Sequence, residues 1–303
     1  IPQVVLTNSC LATVTASVTN TTSKKASAML AFFIPTSKHS IVAALPRSLN
    51  TQHMPPLQRS LWKDFGKQIL VSLGIFSTLF LILYIVEWLV PSLQGTLLQW
   101  HDPAFVVGIP ASAIGVGYVL TIRNPKNYTG FYGGILLNLL LSLQFALQGN
   151  WDLMIMHSAM FVPFQVASLL RWRRQVVHPA EVQTDDSFRP AWLSGKWLMI
   201  TLLFTVVVTC LDYVLLTEVI YRNAWTEDIA IKVFSGLMVA SSILSNFLMI
   251  IKKIDAWVWW VVYSLAGMIF YVLIGNIFSL VLFFVFLLVN GSVGIVWLKL
   301  SKQ

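Results

Sequence analysis

Three side chains of one apolar segment have the types and the spacing of a stacking site. Trp257, Trp260 and Ser264 follow one another at steps of three and four residues, so a helix places two indoles and a hydroxyl on one face. Such a pair can hold a flat heteroaromatic ring by stacking, and a cationic ring is attracted further by the indole faces. The alternative is a tryptophan cluster at the inner membrane surface, where these amphipathic rings are common.

Amide side chains within other apolar segments form a second group of candidates. A polar side chain in hydrocarbon is costly unless it finds a partner, so amides that face the interior of a bundle are functional candidates. The alternative is hydrogen bonding between helices, which is common for amides in membranes. The predicted substrate-binding residues are Trp257, Trp260, Ser264, Asn138, Gln148, Gln165 and Asn290.

Other classes of chemistry leave no trace in the sequence. It contains no Gly-rich phosphate loop, no clustered metal ligands and no nucleophile elbow, so we expect no enzyme, no catalytic residue, no cofactor and no metal site. The formal net charge of +8 comes from Lys and Arg residues between the apolar segments, not from a stripe interleaved with aromatics. Nucleic acid is therefore not an expected partner.

The elements that must position these residues are membrane-spanning helices. Of the 303 residues, 57% are apolar and 11% are charged, and the apolar residues come in blocks of about 20, the length of one span. We predict an all-α integral membrane protein of eight spans. They are α1 at 68–90, α2 at 104–122, α3 at 128–148, α4 at 153–171, α5 at 196–220, α6 at 229–251, α7 at 257–274 and α8 at 278–298.

The basic residues alternate along the chain in a way that predicts orientation. If the first end of α1 is inside, every inner connection is basic, through Lys63, Arg123, Arg171, Lys252 and Lys299. The outer connections contain almost no Lys or Arg. By the positive-inside rule both termini are therefore predicted to be cytoplasmic.

An internal repeat relates two groups of spans. An offset of 125 to 129 residues lays α2–α4 over α6–α8, with Gln165 seven residues before Trp172 and Asn290 seven residues before Trp297. Three spans are an odd number, so two parallel copies need one span between them, and α5 fills this role. The prediction is a 3+1+3 parallel-repeat bundle with α1 as an extra N-terminal span and the substrate at the repeat interface.

The domain organisation follows from these segments. Residues 1–60 are rich in Thr and Ser and then interrupted by prolines, and we predict a tail that is disordered or in part outside the mature protein. The predicted divisions are the tail at 1–60, the extra helix at 61–99, the first triple-helix bundle at 100–175, the cytoplasmic loop and linker helix at 176–222, and the second bundle at 223–303.

Four short motifs of this chain match those of a known family. They are Trp257-Val-Trp-Trp260, Leu273-Ile-Gly275-Asn276, Leu288-Val-Asn290-Gly291 with Trp297, and Asn127-Tyr128. On these residues the chain, over about 100–300, resembles the nicotinamide riboside transporter (PnuC) family. In that family two Trp three apart are followed four residues later by Asn, where this chain has Ser264; Gln148 matches a family Gln, and Gln165 stands where Asn is common.

The resemblance implies a SWEET-like fold and a bacterial inner-membrane importer of nicotinamide riboside or a related vitamin or nucleoside. It implies facilitated diffusion as a uniporter by alternating access, with a cytoplasmic kinase that traps the substrate. Thiamine, riboflavin and deoxynucleosides stay open as substrates, and so do a monomer and a homo-oligomer.

Two other functions stay open. One is a membrane scaffold or sensor that binds a partner through the loop at 172–195 or the tail. The other is an ion-coupled importer that uses Asp212 or His157, although an interface role for Asp212 and a packing role for His157 are favoured.

Overall fold

The computed structural model describes residues 55–90, 92, 95, 97–98, 100–147, 151–177, 190–214 and 229–302. The findings below concern the unit Met54–Gln303. The predicted tail before residue 55 and most of the loop between α4 and α5 lie outside the described residues.

The described part of the chain contains eight helices that are long and apolar enough to cross a membrane, which confirms the predicted all-α membrane fold. They are α1 Pro56–Leu89, α2 Pro103–Ile122, α3 Gly130–Leu147, α4 in three consecutive parts (Trp151–Ile155, Met156–Phe161 and Val162–Val177), α5 Gly195–Val214, α6 Ile229–Ile250, α7 Asp255–Leu273 and α8 Ile277–Leu300.

Helix α1 begins earlier than predicted, at Pro56 and not at residue 68. The prediction treated Pro55 and Pro56 as helix breakers, but proline is tolerated in the first turn because its missing N–H would have no partner inside the helix. Two helices that begin at the predicted outer end have side-chain caps. Asp102 accepts a hydrogen bond from the backbone N–H of Ala104 at 2.9 Å, and Asn276 accepts one from Ser279 at 2.9 Å.

Helix α4 contains a π-helical turn at Met156–Phe161. Its hydrogen bond from the N–H of Val162 to the carbonyl of His157 spans five residues, one more than an α-helix allows. The turn accommodates one extra residue and changes the direction in which its side chains point.

The helices divide into buried and lipid-facing ones. In the apolar 18-residue stretches of α2 and α6, 67% and 56% of the residues are buried, whereas in those of α1 and α5 the share is 17% each. Helix α1 packs against α2, and α5 packs against α6. The exposed faces of α1 and α5 are apolar, with Leu70 at 70% and Met199 at 66% exposure, which fits a lipid environment and would favour aggregation in water.

The remaining contacts follow chain order within each half. Helix α2 packs on α3 and α3 on α4, while α6 packs on α7 and α7 on α8; the two halves meet through α4 with α6 and through α8 with α2. These contacts are the ones that a 3+1+3 bundle needs, and the repeat itself stays a prediction.

Candidate functional site

A cavity of about 370 Å³ lies between the helices of the two predicted bundles. It extends from Asp102 and Asn276, at the predicted outer helix ends, to Ser242 and Phe286 within the helices. Its size is within the range of small-molecule sites. The cavity is therefore the candidate site that this conformation presents.

The cavity wall is aromatic, with a few polar groups. Among the described residues that line it, one carries a carboxylate, Asp102, and none is a Lys or Arg. Such a wall suits a flat ring, neutral or cationic, better than a phosphate. Its described residues offer no cationic side chain, and its two helix N-termini already have side-chain caps in Asp102 and Asn276. The aromatic lining residues are Phe105, Phe145, Phe161, Tyr263, Phe270, Tyr271, Phe278, Phe283 and Phe286.

His157 lies in the cavity wall on the π-helical turn of α4. Its Nδ1 is 2.8 Å from Oδ1 of Asn138, and Asn138 Nδ2 donates to the carbonyl of Gly134 at 2.7 Å. The imidazole lies between the rings of Phe145 and Phe161, at centroid distances of 5.2 and 5.0 Å. Asn138 is thus a buried partner of a cavity residue and does not itself line the cavity.

A second amide contact joins the two halves beneath the cavity. Gln165 of α4 donates from Nε2 to Oδ1 of Asn246 on α6 at 2.7 Å, and Asn246 Nδ2 donates to the carbonyl of Ser242 at 2.9 Å. Ser242 lines the cavity, whereas Gln165 is 3% exposed. Gln165 is therefore two hydrogen bonds removed from the cavity surface, through Asn246 and Ser242.

Ser264 and Asn290 lie together between α7 and α8. Asn290 donates from Nδ2 to Oγ of Ser264 at 3.3 Å, and that hydroxyl donates to the carbonyl of Trp260 at 2.8 Å. Both side chains are buried. Oδ1 of Asn290 and the indole Nε1 of Trp257 are buried without a hydrogen-bond partner in the described part of the chain, which is costly in an apolar interior.

The two predicted stacking residues do not line the cavity. Trp257 is 2% exposed and packs edge-on against Trp297 at 5.4 Å, and half-buried Trp260 packs edge-on against Tyr263 at 5.4 Å. The belt interpretation is wrong for Trp257, because that ring is enclosed by protein and does not face lipid. Contact between the two indoles and a substrate stays a prediction, and Gln148 lies outside the described residues.

Two tryptophans seal the predicted inner end of the bundle. Trp172 of α4 donates from Nε1 to the carbonyl of Met249 at the end of α6, and Trp297 of α8 donates to the carbonyl of Ile122 at the end of α2, each at 3.2 Å. Their rings are 5.8 Å apart and fully buried. The halves are thus joined at the inner end, away from the cavity.

Sequence reasoning omitted several residues that the structure brings to this region. Asn246 belongs to a polar run in an apolar helix, Ser241, Ser242, Ser245 and Asn246, and this run was a visible signal. Tyr263 follows Trp260 by three residues, so helical spacing associates the two. His157 was assigned a packing role because nothing in the sequence indicates a π-helical turn.

Comparison with known proteins gives one family and one similar structure. The family model described as "Nicotinamide mononucleotide transporter" matches residues 105–299, which is more than half of the chain. The fold is similar to that of a structure described as "Crystal structure of the Vitamin B3 transporter PnuC", with a TM-score of 0.55 and 15% sequence identity over 80% of this chain and 97% of that chain. No curated protein matches the chain in sequence.

Proposed function

The chain belongs to the nicotinamide mononucleotide transporter (PnuC) family, and from this premise we propose that it carries nicotinamide riboside, or a related flat vitamin or nucleoside, across the membrane. Family and fold make it a multi-pass membrane transporter. The proposal concerns the substrate, the route and the energetics.

The aromatic cavity without a cationic lining residue supports a substrate that lacks a phosphate. A mononucleotide carries a phosphate whose charge Lys or Arg would need to balance, and the two helix N-termini at the cavity are already capped by Asp102 and Asn276. A riboside lacks this group, and the pyridinium ring of nicotinamide riboside is a cation that aromatic faces attract. Among related molecules the chemistry therefore favours the nucleoside over the nucleotide.

The buried polar atoms support a route that continues below the cavity. Trp257 Nε1 offers a donor and Asn290 Oδ1 an acceptor, and both lack partners in this conformation. A substrate that moves inward past the cavity floor would supply these partners. In this scheme Trp257 and Trp260 stack the ring, and Asn138, Gln148, Gln165, Ser264 and Asn290 bind its polar groups.

The inner tryptophan contacts support alternating access. Trp172 and Trp297, hydrogen-bonded across the halves, join the halves at the predicted inner end. Inward opening has to break both contacts. We propose facilitated diffusion without a coupling ion, cytoplasmic termini, a bacterial inner-membrane location and a cytoplasmic kinase that traps the product.

The test is binding and uptake by the full chain reconstituted in liposomes. A panel of nicotinamide riboside, nicotinamide mononucleotide, thiamine, riboflavin and deoxynucleosides is titrated while tryptophan fluorescence is recorded, and uptake of bound members is measured with and without an ionophore. We expect quenching and ionophore-insensitive uptake for the riboside or one related nucleoside or vitamin, and none for the mononucleotide. Uptake of the mononucleotide, or uptake that stops when ion gradients are dissipated, contradicts the proposal.

A further inference from the structure

We propose that His157 is a specificity-determining residue: its Nε2 faces the cavity as a hydrogen-bond acceptor and selects substrates that present an O–H or N–H donor there. This inference rests on the proposed function and assigns a recognition role to the first half of the chain. The donor is either a ribose hydroxyl or the N–H of a carboxamide, and both have the same chemistry at this position.

The hydrogen bonds around Asn138 fix the form of the imidazole. Nδ2 of Asn138 donates to the carbonyl of Gly134 at 2.7 Å, so the amide oxygen is the atom that faces His157. An amide oxygen only accepts hydrogen bonds. Nδ1 of His157, 2.8 Å from it, must therefore carry the proton, and in the neutral ring Nε2 is left as an acceptor.

The π-helical turn aims the ring into the cavity. His157 is the second residue of Met156–Phe161, and π-helical turns are frequent at functional sites. Ser158 Oγ and Ser142 Oγ both donate to the carbonyl of Met154, at 2.8 and 3.1 Å, so α3 supports this part of α4. The imidazole is 8% exposed and lines the cavity.

A hydrogen-bond acceptor discriminates between ligands when its position is fixed. Phe145 and Phe161 contact the ring at 5.2 and 5.0 Å, and Asn138 fixes one edge, so the free nitrogen cannot turn away from the substrate. Serine and tyrosine hydroxyls in the same wall can donate or accept, whereas a neutral Nε2 accepts only. A ligand that presents an acceptor, such as a carboxylate, leaves this nitrogen unpaired and loses affinity.

The experiment compares binding of matched ligands to wild type, His157→Phe and His157→Gln in nanodiscs. The ligands are nicotinamide riboside, its 2′-, 3′- and 5′-deoxy analogues, and the riboside of nicotinic acid, which replaces the carboxamide by a carboxylate. We expect wild type to bind one deoxy analogue, or the acid riboside, about tenfold more weakly than the parent, the size of one hydrogen bond. Which ligand is disfavoured identifies the donor.

In His157→Phe the discrimination should disappear, because parent and analogue then bind with the affinity that wild type has for the analogue. His157→Gln retains an acceptor and should restore part of the ratio. Equal weakening of every ligand by His157→Phe, or an unchanged ratio, would overturn the proposal and leave His157 a packing residue. His101→Gln, outside the cavity lining, is the matched control and should bind as wild type does.

Nitrogen NMR of imidazole-labelled protein separates this proposal from the proposed function. The chain has 5 histidines, and His157→Phe identifies the signals of His157. We expect the neutral tautomer with the proton on Nδ1, which Asn138→Leu should abolish, and a shift of the Nε2 signal when a bound ligand donates to it. If no panel member binds wild type, the proposed function fails; a proton on Nε2 of His157 overturns the present inference whether or not ligands bind.

Discussion

The two halves of the molecule, α1–α4 and α5–α8, share their packing and differ in their polar chemistry. Each half has a lipid-facing first helix on a buried second helix, and each ends in a tryptophan that donates to the last turn of the other half's buried helix. The first half adds a π-helical turn with His157, whereas the last helix of the second half is regular. Under the proposed function, the second half supplies the stacking residues Trp257 and Trp260, whereas the first half supplies hydrogen-bonding side chains and no stacking indole.

The inner ends show the same relation between geometry and chemistry. In the first half Asn127 of the α2–α3 connection donates to Asp64 of α1 at 2.8 Å. In the second half Asp255, at the start of α7, accepts from the backbone N–H of Leu193 before α5 at 2.7 Å. The carboxylate lies on the lipid-facing helix in the first half and on the packed helix α7 in the second. In both halves the contact holds the lipid-facing helix near its inner end.

The largest effect is expected from removing the ring-binding side of the second half. Trp260→Ala should abolish uptake, because stacking on an aromatic face supplies much of the affinity of a flat ring. Initial rates of uptake into liposomes measure it. Trp197→Ala, on the lipid-facing surface of α5 with 57% exposure, is the matched control and should transport as wild type does.

Retained uptake by Trp260→Ala would place the ring elsewhere and contradict the stacking role proposed for the second half. At the buried position Trp257 the suitable variant is Trp257→Phe. Trp257→Ala would leave a cavity that lowers the free energy of unfolding by about 3–5 kcal/mol. Trp257→Phe deletes the indole N–H and keeps an aromatic ring.

The inner seal tests whether the halves are equivalent. Trp172→Phe and Trp297→Phe each remove one indole donor, and a hydrogen bond of net worth about 1 kcal/mol corresponds to an approximately fivefold shift toward inner opening. The rate at which a membrane-impermeant thiol reagent labels Val293→Cys, in a background without Cys10 and Cys210, reports that opening. Equal shifts support equivalent halves, and a shift in one variant alone would show that one contact dominates.

The contact between Gln165 and Asn246 joins the halves, whereas that between Asn290 and Ser264 lies within one half. A double-mutant cycle with Gln165→Leu and Asn246→Leu should give a coupling of about 1 kcal/mol in the free energy of unfolding in detergent. The cycle with Asn290→Leu and Ser264→Ala is the comparison. We expect only the first pair to change the ratio of inward to outward states, and identical changes from both pairs would contradict that difference.

The smallest effect concerns Lys252, which follows α6 and lies 4.6 Å from the ring centroid of Trp172. Burial, followed by the charges of Arg171 and Lys126, lowers the pKa of Lys252 to about 7 from 10.5. The unfolded chain therefore binds more protons between these values, and stability should rise as the pH increases from about 7 to about 10. Thermal unfolding against pH measures it, and Lys252→Met should flatten the profile; a Lys252→Met profile as steep as wild type contradicts this assignment.

The helices were predictable because hydrophobic length depends on each segment alone. Segments of about 20 apolar residues determine a span whatever their neighbours, and so the eight helices were confirmed. The contact between Ser264 and Asn290 was not predicted, although both residues were separate candidates, and their role in substrate binding stays a prediction. The predicted start of α1 at residue 68 was wrong, and the helix begins at Pro56, because proline was considered only as a breaker.

The cavity was not predictable because it depends on how helices from different parts of the chain approach one another. Trp257 and Trp260 share a face, but the sequence does not say that Trp297 covers one of them. His157 depends on a local change of helix type that composition does not encode. Asn246, in contrast, was predictable, because the run of polar residues that contains it is visible in the sequence, but it was not chosen as a candidate.

The π-helical turn at Met156–Phe161 also has an evolutionary consequence. A π turn in an α-helix corresponds to one extra residue, so deleting a residue such as Ala159 should restore a regular helix and leave the flanking parts of α4 in register. The span would survive, while the imidazole of His157 would turn away from the cavity. Relatives on this scaffold could therefore gain or lose a recognition group through a single-codon insertion or deletion, with the tryptophan seal and the amide contact below it untouched.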